Sequence, residues 1–113
     1  MLIIENSITN EELKKIAKNI FVDMIKAVVD IEKEIIAIDA ELHSDLESNL
    51  LENGSHQENL WGINFYPEMD GDDFLEFDSM INIRPSQNNR SRGVENEQIR
   101  NRIIKIIEKR IKK

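Results

Sequence analysis

Apolar residues recur at helical spacing near both ends of the chain. Thr9-Asn10-Glu11-Glu12 fits a capping box, with Thr9 as N-cap and Glu12 at position N3. The apolar residues that follow repeat every three or four positions and predict a helix over residues 10–22: Leu13, Ile16, Ala17, Ile20, Phe21 and Met24. Near the other end, Asn96 can cap a helix over residues 97–111, whose predicted buried stripe is Ile99, Ile103, Ile106, Ile107 and Ile111.

The centre of the chain carries strand patterns. Residues 24–40 can form either one long helical stripe or a hairpin, and their many valines and isoleucines, split by a polar turn at residues 30–34, favour the hairpin. Residues 60–67 read as a strand closed by proline, and residues 2–4 as a brief edge strand. Alternation of apolar and polar side chains predicts a strand over residues 74–84.

Residues 41–52 fit two patterns at once. Leucines at four-residue spacing indicate a helical turn, while the two leucines before Asn53-Gly54 resemble a strand entering a turn. A short helix leading into a strand end satisfies both. Together the segments predict a single α+β domain over residues 1–113, in which the N-terminal and C-terminal helices pack on an antiparallel sheet of about four to five strands.

Charge is distributed unevenly along the chain. The net charge is −7, which argues against nucleic-acid binding, yet residues 1–83 hold 5 Lys/Arg and 19 Asp/Glu while residues 84–113 hold 10 and 3. The basic tail either folds back on the acidic body or forms an anion-binding face, and the two halves are complementary enough to predict a homodimer. The chain has no cysteine, signal-peptide pattern or long apolar run. We therefore expect a cytoplasmic protein without membrane contact, and no cofactor is predicted.

Three stretches resemble a known family. AVVDIEKEIIAIDAELHSDLE, NGSHQENLWGINFYPE and FLEFDSMINIRPSQNNRSRGVE are similar to a small prokaryotic family called domain of unknown function, number fifty-six seventy-four. The resemblance covers nearly the whole chain and implies a shared fold, but no assigned activity. It also implies glycine in relatives where this chain has Asn88, and Asn is the ordinary residue best able to replace Gly at positive φ.

The loop that follows the predicted strand over residues 74–84 is the first candidate site. Guanidiniums, hydroxyls and amides near a helix N-terminus are suited to hold a phosphate or carboxylate. The predicted ligand-binding residues are Arg84, Ser86, Asn88, Asn89, Arg90, Ser91 and Arg92. The alternative is structural: Arg84 and Arg90 pair with carboxylates such as Asp78, Asp30 or Asp39, and the Asn and Ser side chains tie the loop together.

An acidic stretch with one histidine is the second candidate. On a helix His43 and Glu47 share a face, so they are the metal ligands of an alternative hypothesis, although no HExxH motif supports it. His43 also suits a general base. Two functions follow: a non-catalytic binding or assembly module that holds a small anion or an acidic protein surface, and, as the alternative, a small metal-assisted hydrolase or transferase. The absence of a recognisable nucleophile and base favours the first.

Overall fold

The computed structural model describes residues 1–113, beginning with a short strand and a capped helix. Strand β1 is Leu2–Ile4, strand β2 is Ile8–Thr9, and helix α1 is Asn10–Lys18. The predicted capping box is present: the Thr9 hydroxyl accepts a hydrogen bond from the Glu12 amide. The prediction that this helix continues to residue 22 is wrong, because the chain turns after Lys18 and Val22 takes a φ of 73°.

The predicted hairpin is confirmed. Strands β3 (Ile25–Asp30) and β4 (Ile35–Ile38) pair antiparallel. The buried Asp30 carboxylate organises the turn, accepting hydrogen bonds from the Glu32 and Lys33 amides at 2.9 Å and from the Ser55 hydroxyl at 2.6 Å. Such local side-chain bonds end the strand and hold the turn, so Asp30 stabilises the hairpin and pairs with no arginine.

Residues 41–52 contain only a helix. Helix α2 is His43–Glu52, and its Leu46 and Leu50 are buried. The expected strand end at residues 50–52 is therefore wrong, because packing of the leucine stripe on the sheet carries the helix on to Glu52. Strand β5 (Leu60–Phe65) follows, then strand β6 (Leu75–Glu76), helix α3 (Glu97–Arg110) with Asn96 as its N-cap, and strand β7 (Ile111–Lys112).

The predicted α+β class is confirmed, with a five-stranded antiparallel sheet in the order β1-β4-β3-β5-β6. Strands β2 and β7 form a separate parallel pair that ties the two ends of the chain together. Helices α1 and α3 pack on one face of the sheet around the main core, as predicted, with Trp61, Phe65 and Phe74 among its side chains. Helix α2 covers part of the other face, around Val28, Ala37 and Leu60. None of the helices combines the length and the apolar composition that a membrane-spanning segment requires.

The strand predicted over residues 74–84 is mostly wrong. Only Leu75 and Glu76 pair with β5, and Met80–Asn82 forms a single 3-10 turn. Leu75 and Phe77 pack against the main core, while Ile81 packs against the smaller core on the opposite face. The chain therefore crosses the edge of the sheet near Ser79, and the apparent alternation belongs to two segments that face opposite ways.

Candidate ligand-binding cleft

A row of polar side chains crosses three neighbouring strands on the face that α2 only partly covers. Lys26 on β3 lies opposite Asn64 on β5, and Asn64 lies opposite Glu76 on β6. Directly opposed residues on antiparallel strands have side chains on the same face, within about 5.5 Å of each other at Cβ. The row therefore places an ammonium, an amide and a carboxylate side by side at one end of the sheet.

His43, the first residue of α2, lies above this row. Its Nε2 is 2.9 Å from the carbonyl oxygen of Ile63, so Nε2 carries the hydrogen and donates it. Burial, together with the nearby charge of Lys26, lowers the pKa of His43, against the opposing effect of the Ile63 and Asn64 contacts. The imidazole is therefore neutral near pH 7, and its Nδ1 can accept a hydrogen bond.

Asp78 and Arg92 form the side wall. Arg92 Nε donates to Asp78 Oδ1 at 2.5 Å, and this charged hydrogen bond raises the pKa of Arg92. Because the bond uses Nε, both terminal nitrogens of the guanidinium remain available. The resulting cleft has a volume of about 550 Å³ and is lined by Met24, Lys26, Leu42, His43, Ser44, Asn64, Tyr66, Glu76, Asp78, Ser79, Met80, Ile81 and Arg92.

The mouth of the cleft combines apolar side chains with a helix terminus. Leu42 is 52% exposed and Met80 is 65% exposed, and both line the opening. Leu42 is also the N-cap residue of α2 and offers no side-chain hydrogen bond to the first turn. Because Leu42, His43 and Ser44 line the cleft, the positive end of the helix dipole lies at its mouth, where it favours negative charge.

Asn82 fixes the segment that carries the side wall. Its side chain is fully buried and accepts from the Gly62 amide at 2.8 Å while donating to the Gly62 carbonyl at 2.9 Å. The same amide group donates to the Arg92 carbonyl at 2.8 Å, and the Ser79 amide donates to that carbonyl at 2.9 Å. The Asn82 side chain thus forms the hydrogen bonds with β5 that a neighbouring strand would form. It also holds the backbone of Arg92 beside the cleft.

Arg84 is used structurally. Its guanidinium donates to the carbonyl oxygens of Gln57 and Leu60 and lies 4.2 Å from the centre of the Trp61 ring. Burial lowers the pKa of Arg84. The side chain therefore covers the unpaired edge of β5 next to Asn82 and lies outside the lining of the cleft.

The rest of the arginine-rich loop is organised by a carboxylate from the same chain. Glu95 Oε2 accepts from the Arg90 amide at 2.6 Å and the Ser91 amide at 2.8 Å, and these two bonds lower the pKa of Glu95. Buried Asn89 donates to the carbonyl oxygens of Asn82, Ser91 and Gly93. The backbone donors of the predicted anion cradle are therefore bonded to Glu95, while the Asn89 amide braces the loop, as the structural alternative described.

The remaining predicted site residues are not brought together in one place. Ser86, Asn88 and Arg90 are exposed, and Asn88 has the positive φ of 60° that its resemblance to a glycine position implied. Of the two candidate sites, the structure brings only His43 and Arg92 into the same cleft. Glu47 lies one turn along α2, with Oε2 buried and unbonded, and no three His, Cys, Asp or Glu side chains group closely enough to hold a metal ion.

The sequence analysis missed Lys26 and Glu76, and it did not join Asn64 or Tyr66 to them in one site. Lys26, Asn64 and Tyr66 lie in or beside apolar strands, and Glu76 lies in the short strand β6. The available signal was a polar residue interrupting each apolar strand, Lys26 in IKAVVD and Asn64 in LWGINF. Their cross-strand pairing could have been found only with the strand register, which the sequence pattern did not supply.

A larger groove lies on the opposite face of the sheet. It measures about 730 Å³, runs between α3 and residues 71–77, and is lined mainly by apolar side chains such as Phe74, Leu75 and Ile104. Its charged residues, Asp72, Glu108 and Lys113, form no convergent set with a neighbouring amide or imidazole. The polar cleft is therefore the better candidate for a specific ligand site.

Comparison with known proteins returns one match. A family model described as protein of unknown function (DUF5674) matches residues 2–110. No curated protein and no solved structure matches the chain.

Proposed function

The chain belongs to the DUF5674 family of proteins of unknown function, and from that premise and the cleft geometry we propose that it binds a small organic anion between Arg92 and Lys26. The observation that carries this proposal is the convergence of two cations and the uncapped start of α2 around one cleft. Of the arginine-rich loop predicted to bind an anion, Arg92 is the member that lines this cleft.

The chemistry of the two cations supports an oxyanion group on the ligand. Arg92 keeps its two terminal nitrogens for bidentate contact with a carboxylate or phosphate, while Asp78 fixes the orientation of the guanidinium through Nε. Lys26 lies with its ammonium 5.2 Å from the centre of the Phe21 ring, which positions the charge beside the cleft. The ligand therefore meets a preorganised pair of cations with little rearrangement.

The binding proposal is tested by thermal unfolding in the presence of anions. Phosphate and small carboxylates at millimolar concentration are expected to raise the melting temperature because they bind the native state, and added chloride should weaken the effect. Arg92→Gln and Lys26→Gln should each remove most of the shift. Arg90→Gln is the matched control, because Arg90 is an exposed arginine of the same loop outside the cleft.

The control separates two outcomes. If Arg90→Gln removes the anion shift and Arg92→Gln does not, the anion site is the exposed face of the loop and the cleft proposal fails. If no anion changes the melting temperature of the wild-type protein, the binding proposal fails as a whole.

A second candidate function adds acid–base chemistry to the same ligand. The observation that favours it is the neutral imidazole of His43, whose Nδ1 can take a proton from a bound ligand. In this function His43→Gln abolishes conversion of the ligand even at ligand concentrations that saturate the site, so the loss is in kcat and not only in binding. Proton NMR of the bound anion over hours, with and without the variant, measures conversion, and an unchanged spectrum with the wild-type protein removes this candidate.

A further inference from the structure

The floor of the cleft presents hydrogen-bond acceptors that no protein group fills. Asn64 is 4% exposed, and its Nδ2 donates to Glu76 Oε1 at 2.9 Å and to the Asp78 carbonyl at 3.1 Å. Both partners can only accept, so the orientation of the amide is fixed by chemistry. Its Oδ1 is buried and, while His43 is neutral, has no donor. A buried acceptor without a donor is uncommon in folded proteins and calls for an explanation.

Two more acceptors line the same cleft. Because the Nε2 hydrogen of His43 is donated to Ile63, Nδ1 carries a lone pair. The bonds from Asn64 and Tyr66 to Glu76 both end on Oε1, which leaves Oε2 open. The Tyr66 hydroxyl is already used as a donor in this contact, and burial together with Glu76 raises its pKa. The cleft therefore offers one buried acceptor and two more accessible ones to a ligand that carries donors.

The charges of the cleft are balanced. Lys26 and Arg92 are cations, and Glu76 and Asp78 are carboxylates. Arg92 and Asp78 already form an ion pair, so a simple anion leaves Glu76 without a cation. A ligand that carries one group of each sign also supplies Glu76 with a cation, and a protonated amine offers up to three hydrogens to the unfilled acceptors.

We propose that the ligand is a zwitterion of the amino-acid class, whose ammonium group binds to Asn64 Oδ1, His43 Nδ1 and Glu76 while its acidic group binds to Arg92 and Lys26. This inference rests on the proposed anion-binding function and names the class of the ligand. The exposed side chains of Leu42 and Met80 at the mouth provide an apolar surface for the hydrocarbon part of such a ligand.

The test compares ligands that differ by one group. The common amino acids are screened by thermal shift, and the best one is titrated by calorimetry beside the same molecule without its amino group and the same molecule without its carboxylate. For L-leucine these are isocaproate and isoamylamine. Each truncated ligand is expected to bind at least about tenfold more weakly than the amino acid, because each loses a charge-assisted contact.

A variant that removes only the charge of Glu76 tests the ammonium contact separately. Glu76→Gln keeps an oxygen for Asn64 and Tyr66 but removes the negative charge, so affinity for the amino acid should fall about tenfold while affinity for isocaproate stays within about twofold. Glu5→Gln is the control, since Glu5 is exposed after β1 at the far edge of the sheet.

The outcomes distinguish this inference from the function on which it rests. If isocaproate binds as tightly as leucine, or simple carboxylates bind while no amino acid binds more tightly, the ammonium site is wrong and anion binding stands. If neither anions nor amino acids bind, both proposals fail.

Discussion

Replacing Asn82 with alanine tests the most heavily bonded side chain beside the cleft. The Asn82 amide is fully buried and satisfies the amide and the carbonyl of Gly62 as well as the carbonyl of Arg92. In Asn82→Ala both Gly62 groups lose their partner, and the Arg92 carbonyl keeps only its bond from Ser79. A buried polar group left unpaired costs about 1–3 kcal/mol, so the variant should lose about 3–5 kcal/mol of the free energy of unfolding.

Thermal and urea unfolding followed by circular dichroism measure this loss. For a domain of this size, a loss of that magnitude lowers the melting temperature by roughly 10–20 °C. Asn101→Ala is the control, because Asn101 is an exposed residue of α3 and its replacement should stay within about 0.5 kcal/mol of wild type.

Asn82→Asp separates hydrogen bonding from packing volume. Aspartate has almost the same shape as asparagine, but it cannot donate to the Gly62 and Arg92 carbonyls and places a buried negative charge next to them. It should therefore be at least as unstable as Asn82→Ala. If Asn82→Asp unfolds within a few degrees of wild type, or if Asn82→Ala and Asn101→Ala are equally stable, Asn82 does not hold the edge of β5 and the reasoning is refuted.

Three further predictions follow from local contacts. A Cβ added at Gly62 lies 2.4 Å from Ser79 Cβ, so Gly62→Ala should lower the free energy of unfolding by about 1–3 kcal/mol. Adding Ser79→Gly should restore part of this loss, because it removes the atom that clashes. If the single and double variants are equally unstable, the clash is not the cause. Burial lowers the pKa of His43, so on acidification the unfolded chain takes up this proton at a higher pH than the native protein does. The stability that His43 contributes is therefore constant above pH 6.5–7 and is lost as the pH falls from there through its native pKa. The free energy of unfolding measured with urea should therefore fall more on acidification for wild type than for His43→Gln. Parallel pH profiles of the two proteins would disprove the burial effect. Glu95→Ala should speed hydrogen exchange of the Arg90 and Ser91 amides at least about tenfold by NMR, because both donate to Glu95; unchanged exchange there would show that the carboxylate does not hold the loop.

Local sequence signals predicted the elements that are stabilised locally. The capping box at Thr9 and Glu12, the N-cap Asn96, and the polar turn after β3 each depend on contacts between residues a few positions apart. Such contacts can be read from spacing alone. The starts of both helices and the position of the hairpin turn were therefore predicted correctly.

The strand prediction over residues 74–84 was wrong for a physical reason. Alternation of apolar and polar residues describes a strand only if the whole segment lies in one sheet, and here the chain changes face near Ser79. Asn82 resembled an outward-facing polar residue of a strand, but its amide is buried and forms the hydrogen bonds that a neighbouring strand would form. A side chain that replaces a backbone partner leaves no periodic signal.

The candidate cleft was predictable only in part. His43 and Arg92 were singled out by residue type, but they belong to separate hypotheses because 48 positions of sequence separate them. Lys26, Asn64 and Glu76 become neighbours through the register of three strands. Residue type therefore identified two of the candidate binding groups, whereas tertiary structure was needed to bring them together.

The structural role of the arginine-rich loop also explains why an acidic protein contains it. Arg84 covers the carbonyl groups at the edge of β5, and Glu95 binds the amides that an external anion would otherwise use. Asn82 and Ser79 then anchor the backbone of Arg92, so that its guanidinium reaches the cleft where it meets Asp78. The loop thus uses most of its polar groups to hold its own conformation, and that rigidity keeps Arg92 beside the cleft in a fixed orientation.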